Sequence, residues 1–200
     1  MLRQLFNFDR NQKFILACSG GVDSMAIADF YKRGNKSFEI AYFNHATPMA
    51  NTYQSFVKDW CEANEVVFNT AILSCNKIKG QSAEEFWRIE RYNFLNSFNL
   101  PIVTCHHLND VLETWIWSSA HGNPKIVLPK HGNVFRPFLL NKKEDMLNWC
   151  IKHGVKWIED PSNTDENYTR NFIRHNLISQ FEKINPGIWK TLRKKVIDTM

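Results

Sequence analysis

The sequence has few cysteines, and those it has form no recognisable ligand motif. Its five cysteines lie far apart, with no Cys-x-x-Cys pair and no Cys/His spacing typical of a zinc site. An odd number of scattered cysteines argues against a disulfide framework. We therefore expect reduced thiols in a cytoplasmic protein.

Long apolar runs are also lacking. Charged residues interrupt the N-terminal segment MLRQLFNFDRNQKF, where a signal peptide needs a continuous apolar region, and no run approaches the length of a membrane span. The chain has no internal repeat, and its 8 glycines and 7 prolines are scattered rather than gathered in a linker. The sequence thus predicts a soluble, unexported protein with no membrane partner.

The residues that are present fit one folded domain of ordinary size. Hydrophobic residues make up 44% of the 200 positions, which is enough for a real core. The 25 Lys and Arg residues against 20 Asp and Glu residues give a net charge of +5. This excess suits an anionic partner such as nucleic acid, but an ordinary basic protein has it as well.

Short apolar segments alternate with longer segments of helical period. We predict strands over 13–18, 38–44, 65–72 and 101–105, and helices over 22–34, 51–64, 82–97 and 108–119. Such alternation is typical of an α/β fold, in which a mainly parallel sheet is flanked by helices on both faces. In these sheets ligands bind at the carboxyl ends of the strands, where loops lead into helices.

The segment ACSGGVDS lies at the carboxyl end of the first predicted strand. Its two glycines allow a sharp turn whose backbone N–H groups surround an anion, and the start of the next helix favours negative charge. The ending Gly-Lys-Ser/Thr of the nucleoside-triphosphate P-loop is absent. Asp23 would repel a phosphate unless a cation lay between them, so we interpret it as a Mg²⁺ ligand, with a helix cap as the alternative. The predicted phosphate-binding residues are Ser19, Gly20, Gly21, Val22, Asp23 and Ser24.

A second polar cluster, HHLNDVLET at 106–114, follows the fourth predicted strand. Asp110 and Glu113 are three residues apart and share one helix face, and His106 lies just before the first turn. Two carboxylates so placed can hold an ammonium group, and one can take its proton as the amine becomes a nucleophile. The alternative is a solvated helix face, which is the usual role of an Asp-x-x-Glu pair.

Two further segments carry arginines at helical spacing. In QSAEEFWRIERYNF, the residues Glu84, Arg88 and Arg91 form one polar stripe, which can contact phosphates or form intrahelical ion pairs. In WIEDPSNTDENYTRNFIRHNLI, Arg170 and Arg174 lie one helical turn apart, where they can address phosphates or remain surface charges.

The last segment, INPGIWKTLRKKVID, predicts a helix. Its apolar stripe consists of Ile184, Ile188, Leu192 and Val196, with basic residues around it. The helix can pack on the domain and offer a basic face to RNA, or it can be a plain solvated helix.

Together these motifs resemble the tRNA(Ile)-lysidine synthetases, a family of PP-loop ATP pyrophosphatases. SGGVDS is similar to the PP-loop, and HHLNDVLET, QSAEEFWRIERYNF and the run from WIEDPSN to YTRNFIR are similar to further motifs of the family. The similarity extends from about residue 13 to residue 186.

The resemblance implies a Rossmann-like PP-loop fold of the adenine nucleotide alpha hydrolase type over residues 1–180, followed by a basic C-terminal helix over residues 181–200. It implies ATP and Mg²⁺ as cofactors, with free L-lysine and the CAU-anticodon tRNA(Ile) as partners. The wobble cytidine would be adenylated with release of pyrophosphate, and the lysine ε-amine would then displace AMP from its C2 to give lysidine.

Roles of individual residues are inferred at the positions that match the family's motifs. The resemblance implies catalytic roles for Asp23, His106, Asp110, Glu113, Arg170 and Arg174. It implies substrate or phosphate contacts for Arg88 and Arg91, and metal binding for Asp23.

The chain departs from the family pattern in three places. The triplet at 109–111 is Asn-Asp-Val where Asp-Asp-Gln is commoner, the segment 118–135 lacks the usual glycine-rich sequence, and no further C-terminal domain follows. We therefore expect a compact form, for which a homodimer can compensate. Two other functions stay open: a PP-loop enzyme that thiolates tRNA, although no cysteine pair supports it, and a non-catalytic nucleotide- or RNA-binding module.

Overall fold

The computed structural model describes residues 2–75, 80 and 82–200. Its strands are β1 Phe14–Ala17, β2 Phe38–Asn44, β3 Val67–Ile72, β4 Ile102–Val103, β5 Lys130–His131 and β6 Val134–Phe135. In this part of the chain they form one sheet in the order β3-β2-β1-β4-β6-β5. Neighbouring strands are parallel except for β5, which pairs antiparallel with β6 at one edge. The mainly parallel sheet predicted from the sequence is confirmed.

Strand β1 lies inside the sheet and is buried on both faces. Phe14 and Leu16 pack in one core cluster with the buried side of helix α1 (Val22–Arg33). Ile15 belongs to another cluster, with Leu95 of helix α3 (Ala83–Asn96). Because alternate strand residues point to opposite faces, helices cover the sheet on both sides, as the α/β class requires.

Further helices are α2 Ala50–Ala63, α4 Leu108–Ala120, α5 Lys143–His153, α6 Thr169–Phe172, α7 Ile178–Ile184 and α8 Ile188–Ile197. A 3-10 turn spans Pro161–Thr164, and a π-helical turn, Ile173–Leu177, joins α6 to α7. Within the described ranges, no helix has the length and apolar character needed to cross a membrane.

Helices α4 and α8 form a separate hydrophobic cluster beside the sheet. Leu108 and Leu112 of α4 pack there with Leu192 and Val196 of α8. Ile184, predicted to share the apolar stripe of α8, is instead 80% exposed, because α7 ends at this residue and the Asn-Pro-Gly segment separates it from α8. The helical C-terminal part is confirmed, with a later start than the sequence predicted.

Candidate active site

Residues 18–24 form the loop between β1 and α1, which we call the phosphate loop, and the conformation of Gly20 shapes it. Gly20 has φ +85°, in the left-handed region that other residues rarely adopt. A Cβ added at this position would also lie 3.1 Å from Cγ2 of Val57 in α2. The loop therefore follows this path only with glycine at position 20.

Ser24 organises the phosphate loop from the first turn of α1. Its hydroxyl oxygen accepts hydrogen bonds from the backbone N–H of Gly20 at 3.1 Å and of Ser19 at 3.3 Å, and the hydroxyl donates to the carbonyl of Gly21 at 2.9 Å. The side chain is buried, whereas Ser19 is exposed. In this arrangement Ser24 shapes the loop, and the first-turn N–H groups of α1, which have no partner inside the helix, can donate to an anion.

The segment after α5 lies against the phosphate loop. The backbone N–H of Ile158 donates to the carbonyl of Gly20 at 2.9 Å, and Sγ of Cys150 in α5 lies 3.6 Å from the carbonyl of Val22. Ile158 belongs to the WIEDPSN sequence. This motif therefore supports the loop that the sequence assigned to phosphate.

Asp23 projects from the first turn of α1 with one oxygen unpaired. Oδ1 is buried and accepts no hydrogen bond from the described residues, while Oδ2 lies 3.6 Å from Nε2 of His107. Gly21 is the N-cap residue of α1 and no side chain caps the helix, so the cap interpretation of Asp23 is wrong. Buried carboxylate oxygens normally have a partner, and a missing one fits a cation.

A magnesium ion fits this carboxylate only with help from other ligands. In the part of the chain that the structure describes, no group of three or more His, Cys, Asp or Glu side chains forms a metal site. Mg²⁺ is commonly bound through one or two carboxylates together with substrate phosphates and water. Asp23, next to a phosphate loop, has the position and the free oxygen for such a site.

His107 lies at the centre of the cluster, although sequence reasoning singled out its neighbour. The residue is 2% exposed. Its Nε2 is 3.6 Å from Oδ2 of Asp23, and its Nδ1 is 3.3 Å from Oδ2 of Asp110. Burial acts to lower the pKa of His107, but Asp110 and Asp23 outweigh burial and raise it. Its N-cap position before an acidic helix start was the sequence signal that could have identified it.

Asp110 turns back toward the start of α4. Its Oδ2 accepts a hydrogen bond from the backbone N–H of His107 at 2.8 Å, as in a capping box. Burial acts to raise the pKa of Asp110, but His107 and His106 lower it below its ordinary value. Asp110 is therefore an ionised carboxylate suited to holding a cationic group.

Glu113, one turn further along α4, is 1% exposed and paired with Arg174. Arg174 donates from Nε to Oε1 at 2.8 Å and from Nη2 to Oε2 at 3.1 Å. It lies in the π-helical turn, a conformation frequent at functional sites. Burial raises the pKa of Glu113 despite this arginine. Arg170 of α6 adds to the lowering of the pKa of Asp110, so both predicted arginines reach the cluster.

His106 borders a basic group of residues. Burial lowers the pKa of His106 to about 3, against the opposing effect of Asp110. Three arginines add to the lowering: Arg136, Arg91 and Arg170. His106 is therefore a neutral imidazole at pH 7.

The arginines of α3 lie around Tyr92. The guanidinium carbons of Arg88 and Arg91 are 5.3 and 5.9 Å from the ring centroid. Arg88 is exposed, whereas Arg91 is half-buried and lowers the pKa of His106. The structure thus brings Arg91 to the site and leaves Arg88 further out. The side chain of Glu84, the third member of the predicted stripe, is outside the described residues.

Comparison with known proteins decides the family. The model of the PP-loop domain matches residues 1–181 of this chain. The chain belongs to the PP-loop domain family.

Relatives of this PP-loop domain include named enzymes. A tRNA(Ile)-lysidine synthase of Thermosipho africanus (strain TCF52B) is 30% identical over 203 residues, which cover 89% of this chain and 46% of the relative. A tRNA(Ile)-lysidine synthase of Buchnera aphidicola subsp. Acyrthosiphon pisum (strain APS) is 29% identical over 199 residues, covering 92% of this chain and 45% of the relative. The chain spans about half the length of these curated relatives.

A solved structure shares the fold. The NH3-dependent NAD synthetase from Campylobacter jejuni, in complex with the nitrate ion, aligns with a TM-score of 0.53 at 15% sequence identity. The alignment covers 95% of this chain and 86% of the synthetase. The predicted PP-loop fold is confirmed.

The unusual residues of this PP-loop domain have local structural roles. Oδ1 of Asn109 accepts a hydrogen bond from the backbone N–H of Lys143 at 2.9 Å and so links the starts of α4 and α5. Val111 is fully buried in the α4–α8 cluster. In the unusual segment 118–135, the hydroxyl of Ser118 accepts from the N–H of Lys125 at 2.8 Å. Hydrogen bonds and burial thus fix these positions.

Proposed function

We propose that this PP-loop domain joins L-lysine to C2 of the wobble cytidine of a tRNA(Ile) with the CAU anticodon, using ATP, to form lysidine. The observation that carries the proposal is the position of His107 between Asp23 and Asp110. Asp23 belongs to the phosphate loop, and Asp110 is a carboxylate suited to an amine. A nucleotide phosphate and an amine can therefore meet at one place on the sheet edge.

The phosphate side supports the first half of the reaction. ATP would lie over residues 19–24, with its phosphates against the N–H groups at the start of α1. When bound at Asp23, Mg²⁺ supplies positive charge that stabilises the charge developing on the phosphates. O2 of the cytidine attacks the α-phosphate and pyrophosphate leaves, so that the base carries AMP at O2. Arg88 and Arg91 would contact substrate phosphates.

The carboxylates of α4 support the second half. Asp110 would hold the lysine ε-ammonium, while Glu113, whose pKa is raised mainly by burial, is the stronger base to take its proton. Neutral His106 would border the same amine. The free amine attacks C2, the C2–O2 bond breaks, and AMP leaves with that oxygen. Arg170 and Arg174 lie near these carboxylates and can offset charge on the departing phosphate.

The C-terminal residues would support RNA binding. We divide the chain into a catalytic domain over residues 1–180 and a basic helical part over residues 181–200. Lys190, Lys194 and Lys195 of α8 are exposed, while the apolar side of α8 packs on α4. An exposed basic face of this kind attracts the phosphate backbone of RNA.

The thiols disfavour the alternative of tRNA thiolation. Cys18 and Cys105 follow β1 and β4 at the same edge of the sheet as the site. Burial raises the pKa of both thiols. Sulfur transfer needs a reactive thiolate, and a raised pKa disfavours the thiolate.

A direct assay tests the proposal. The protein is incubated with ATP, Mg²⁺, labelled L-lysine and a CAU-anticodon tRNA(Ile) transcript, and both label in RNA and pyrophosphate release are measured. We expect incorporation of lysine that is lost in Asp23→Asn and Glu113→Gln. Asp59→Asn, on the exposed face of α2, is the matched control and should retain activity.

Other results would redirect the proposal. Pyrophosphate release without lysine incorporation would keep the ATP chemistry and exclude lysine as the second substrate. ATP binding with neither signal would contradict the proposal for this tRNA and favour the non-catalytic module.

A further inference from the structure

Arg136 is a buried cation whose hydrogen-bonding capacity is only partly used. The residue is 6% exposed, and its side chain forms no ion pair with a carboxylate of the described residues. Nη1 donates to the carbonyl of Leu128 at 2.9 Å, and Nη2 lies 3.5 Å from the hydroxyl of Tyr92. Nε is buried and donates to no atom in the described part of the chain.

The sheet places this guanidinium beside the candidate active site. In the parallel pair of β4 and β6, Val103 lies opposite Phe135. The next residues, Thr104 and Arg136, therefore lie side by side at the carboxyl ends of these strands. The hydroxyl of Thr104 lies 2.9 Å from Nδ1 of His106. Arg136 and His106 therefore border the same part of the site.

A buried cation without a carboxylate is unfavourable unless an anion joins it. Removing a guanidinium from water costs free energy that only a paired anion and further hydrogen bonds offset. Arg91 and Arg170 lie near enough to His106 to add positive charge to this region. The charge of Arg136 and its unused Nε donor therefore suit an oxyanion.

We propose that Arg136 receives the α-carboxylate of the lysine substrate and so determines selectivity for an amino acid over a simple amine. This inference rests on the proposed function. Arg136 is 6% exposed, and a small free amino acid meets less steric hindrance at a buried residue than a phosphate of a polymer does. Asp110, which like Arg136 influences the pKa of His106, would hold the amine. Asp110 and Arg136 would then match the ammonium and the carboxylate of lysine.

The test compares amines that differ at the carboxylate. Kinetics of incorporation into the tRNA transcript are measured with labelled L-lysine, L-lysinamide and 1,5-diaminopentane, which is lysine without its carboxylate. For the unmodified protein we expect kcat/KM for lysine to exceed that for diaminopentane by about 100-fold, the range of a charged hydrogen-bonded pair.

Arg136→Gln should remove this preference. We expect kcat/KM for lysine to fall by about 100-fold, mainly through KM, while kcat/KM for diaminopentane changes by less than about 3-fold. Turnover of diaminopentane in the same variant reports that the fold and the ATP chemistry are intact. Arg33→Gln, which removes a surface arginine that also donates to a carbonyl, is the matched control and should keep the preference.

Several results would overturn the inference. An unchanged preference for lysine over diaminopentane in Arg136→Gln would overturn it. Equal use of lysine and lysinamide by the unmodified protein would also overturn it, and this second result does not depend on whether the variant folds. A rise in KM for tRNA with every amine would assign Arg136 to a phosphate instead. If the unmodified protein incorporates no amine at all, the proposed function fails and the inference fails with it.

Discussion

At the scale of residues, one imidazole connects the two chemical sides of the site. His107 is 2% exposed and lies within 3.6 Å of Asp23 and 3.3 Å of Asp110. Asp23 and Asp110 are partly buried, and two carboxylates close together repel each other unless a neighbouring group offsets their charge. His107 lowers the pKa of Asp110 and so keeps this carboxylate ionised, as the proposed chemistry requires.

We predict that His107→Gln destabilises the protein and removes activity. Removing the buried imidazole from its contacts with two partly buried carboxylates should lower the free energy of unfolding by about 3 kcal/mol. Urea unfolding at pH 7 and the lysine incorporation assay measure the two effects. His131→Gln, at an exposed position in β5, is the control. Equal stability and activity in the two variants would refute the bridging role.

A second prediction concerns the protonation of His106. Its pKa of about 3 in the folded protein lies below its ordinary value of 6.5, so the neutral form contributes stability above pH 6.5 that is lost as the pH falls toward 3. Asp110 opposes the shift, and Arg136, Arg91 and Arg170 favour it. In an NMR titration, the imidazole signal that disappears in His106→Asn should stay in its neutral position down to pH 5. A midpoint near 6.5 would contradict the burial and charge described here.

The residue types of the site could be predicted from local motifs, but their partners could not. The phosphate loop and the carboxylates Asp110 and Glu113 are encoded within a few positions of one another. The contact between Glu113 and Arg174 joins residues 61 positions apart, and it depends on how α6 and the π-helical turn pack on α4. The sequence RPFL at 136–139 also resembles the family, but no role was predicted for Arg136, because only the pairing of β4 with β6 brings it to the site.

At the scale of elements, the junction of β1 with α1 depends on support from its neighbours. The segment after α5 holds the carbonyl of Gly20, and Val57 of α2 closes the space where a side chain would lie. The phosphate loop is therefore fixed from two sides before any ligand binds. Such preorganisation reduces the entropy lost on binding.

Alanine substitutions at Gly20 and Gly132 distinguish the effect of backbone strain on stability from the effect of the phosphate loop on ATP binding. Gly20 and Gly132 both have positive φ, but an added Cβ meets Val57 at position 20 and nothing within 4 Å at position 132. Each substitution should destabilise the fold by about 1–2 kcal/mol. Only Gly20→Ala should also weaken ATP binding, by more than about 10-fold, as measured by calorimetry. Equal ATP affinity in the two variants would contradict the role of the loop.

The first four helices were predictable from the sequence, whereas α5 and the short or interrupted elements were not predicted. Helices α1 to α4 carry clear periodicity and were predicted within a few residues of their observed bounds. The strands β5 and β6 have two residues each, too few to show alternation. The final helix begins after the Asn-Pro-Gly segment because proline and glycine separate it from α7.

At the scale of the whole molecule, the parallel sheet gathers opposite charges at one edge. The ends of β1 and β4 lead to Asp23, Asp110 and Glu113, while the end of β6 and helix α3 contribute Arg136 and Arg91. The fold class could be predicted from the alternation of elements. The arrangement of these carboxylates and arginines depends on packing, and it matches the proposed need to hold an ammonium group near phosphates.

The central claim is that Asp23 serves the first half-reaction and Asp110 the second, at one site. The most direct measurement is transfer of label from [α-³²P]ATP to the CAU-anticodon transcript without lysine, followed by a chase with L-lysine. We predict that the unmodified protein labels the RNA and that lysine then releases labelled AMP. Asp23→Asn should form no labelled RNA, whereas Asp110→Asn should form it and fail to release AMP. If Asp110→Asn discharges the label at the normal rate, or if the unmodified protein never labels the RNA, the claim is wrong.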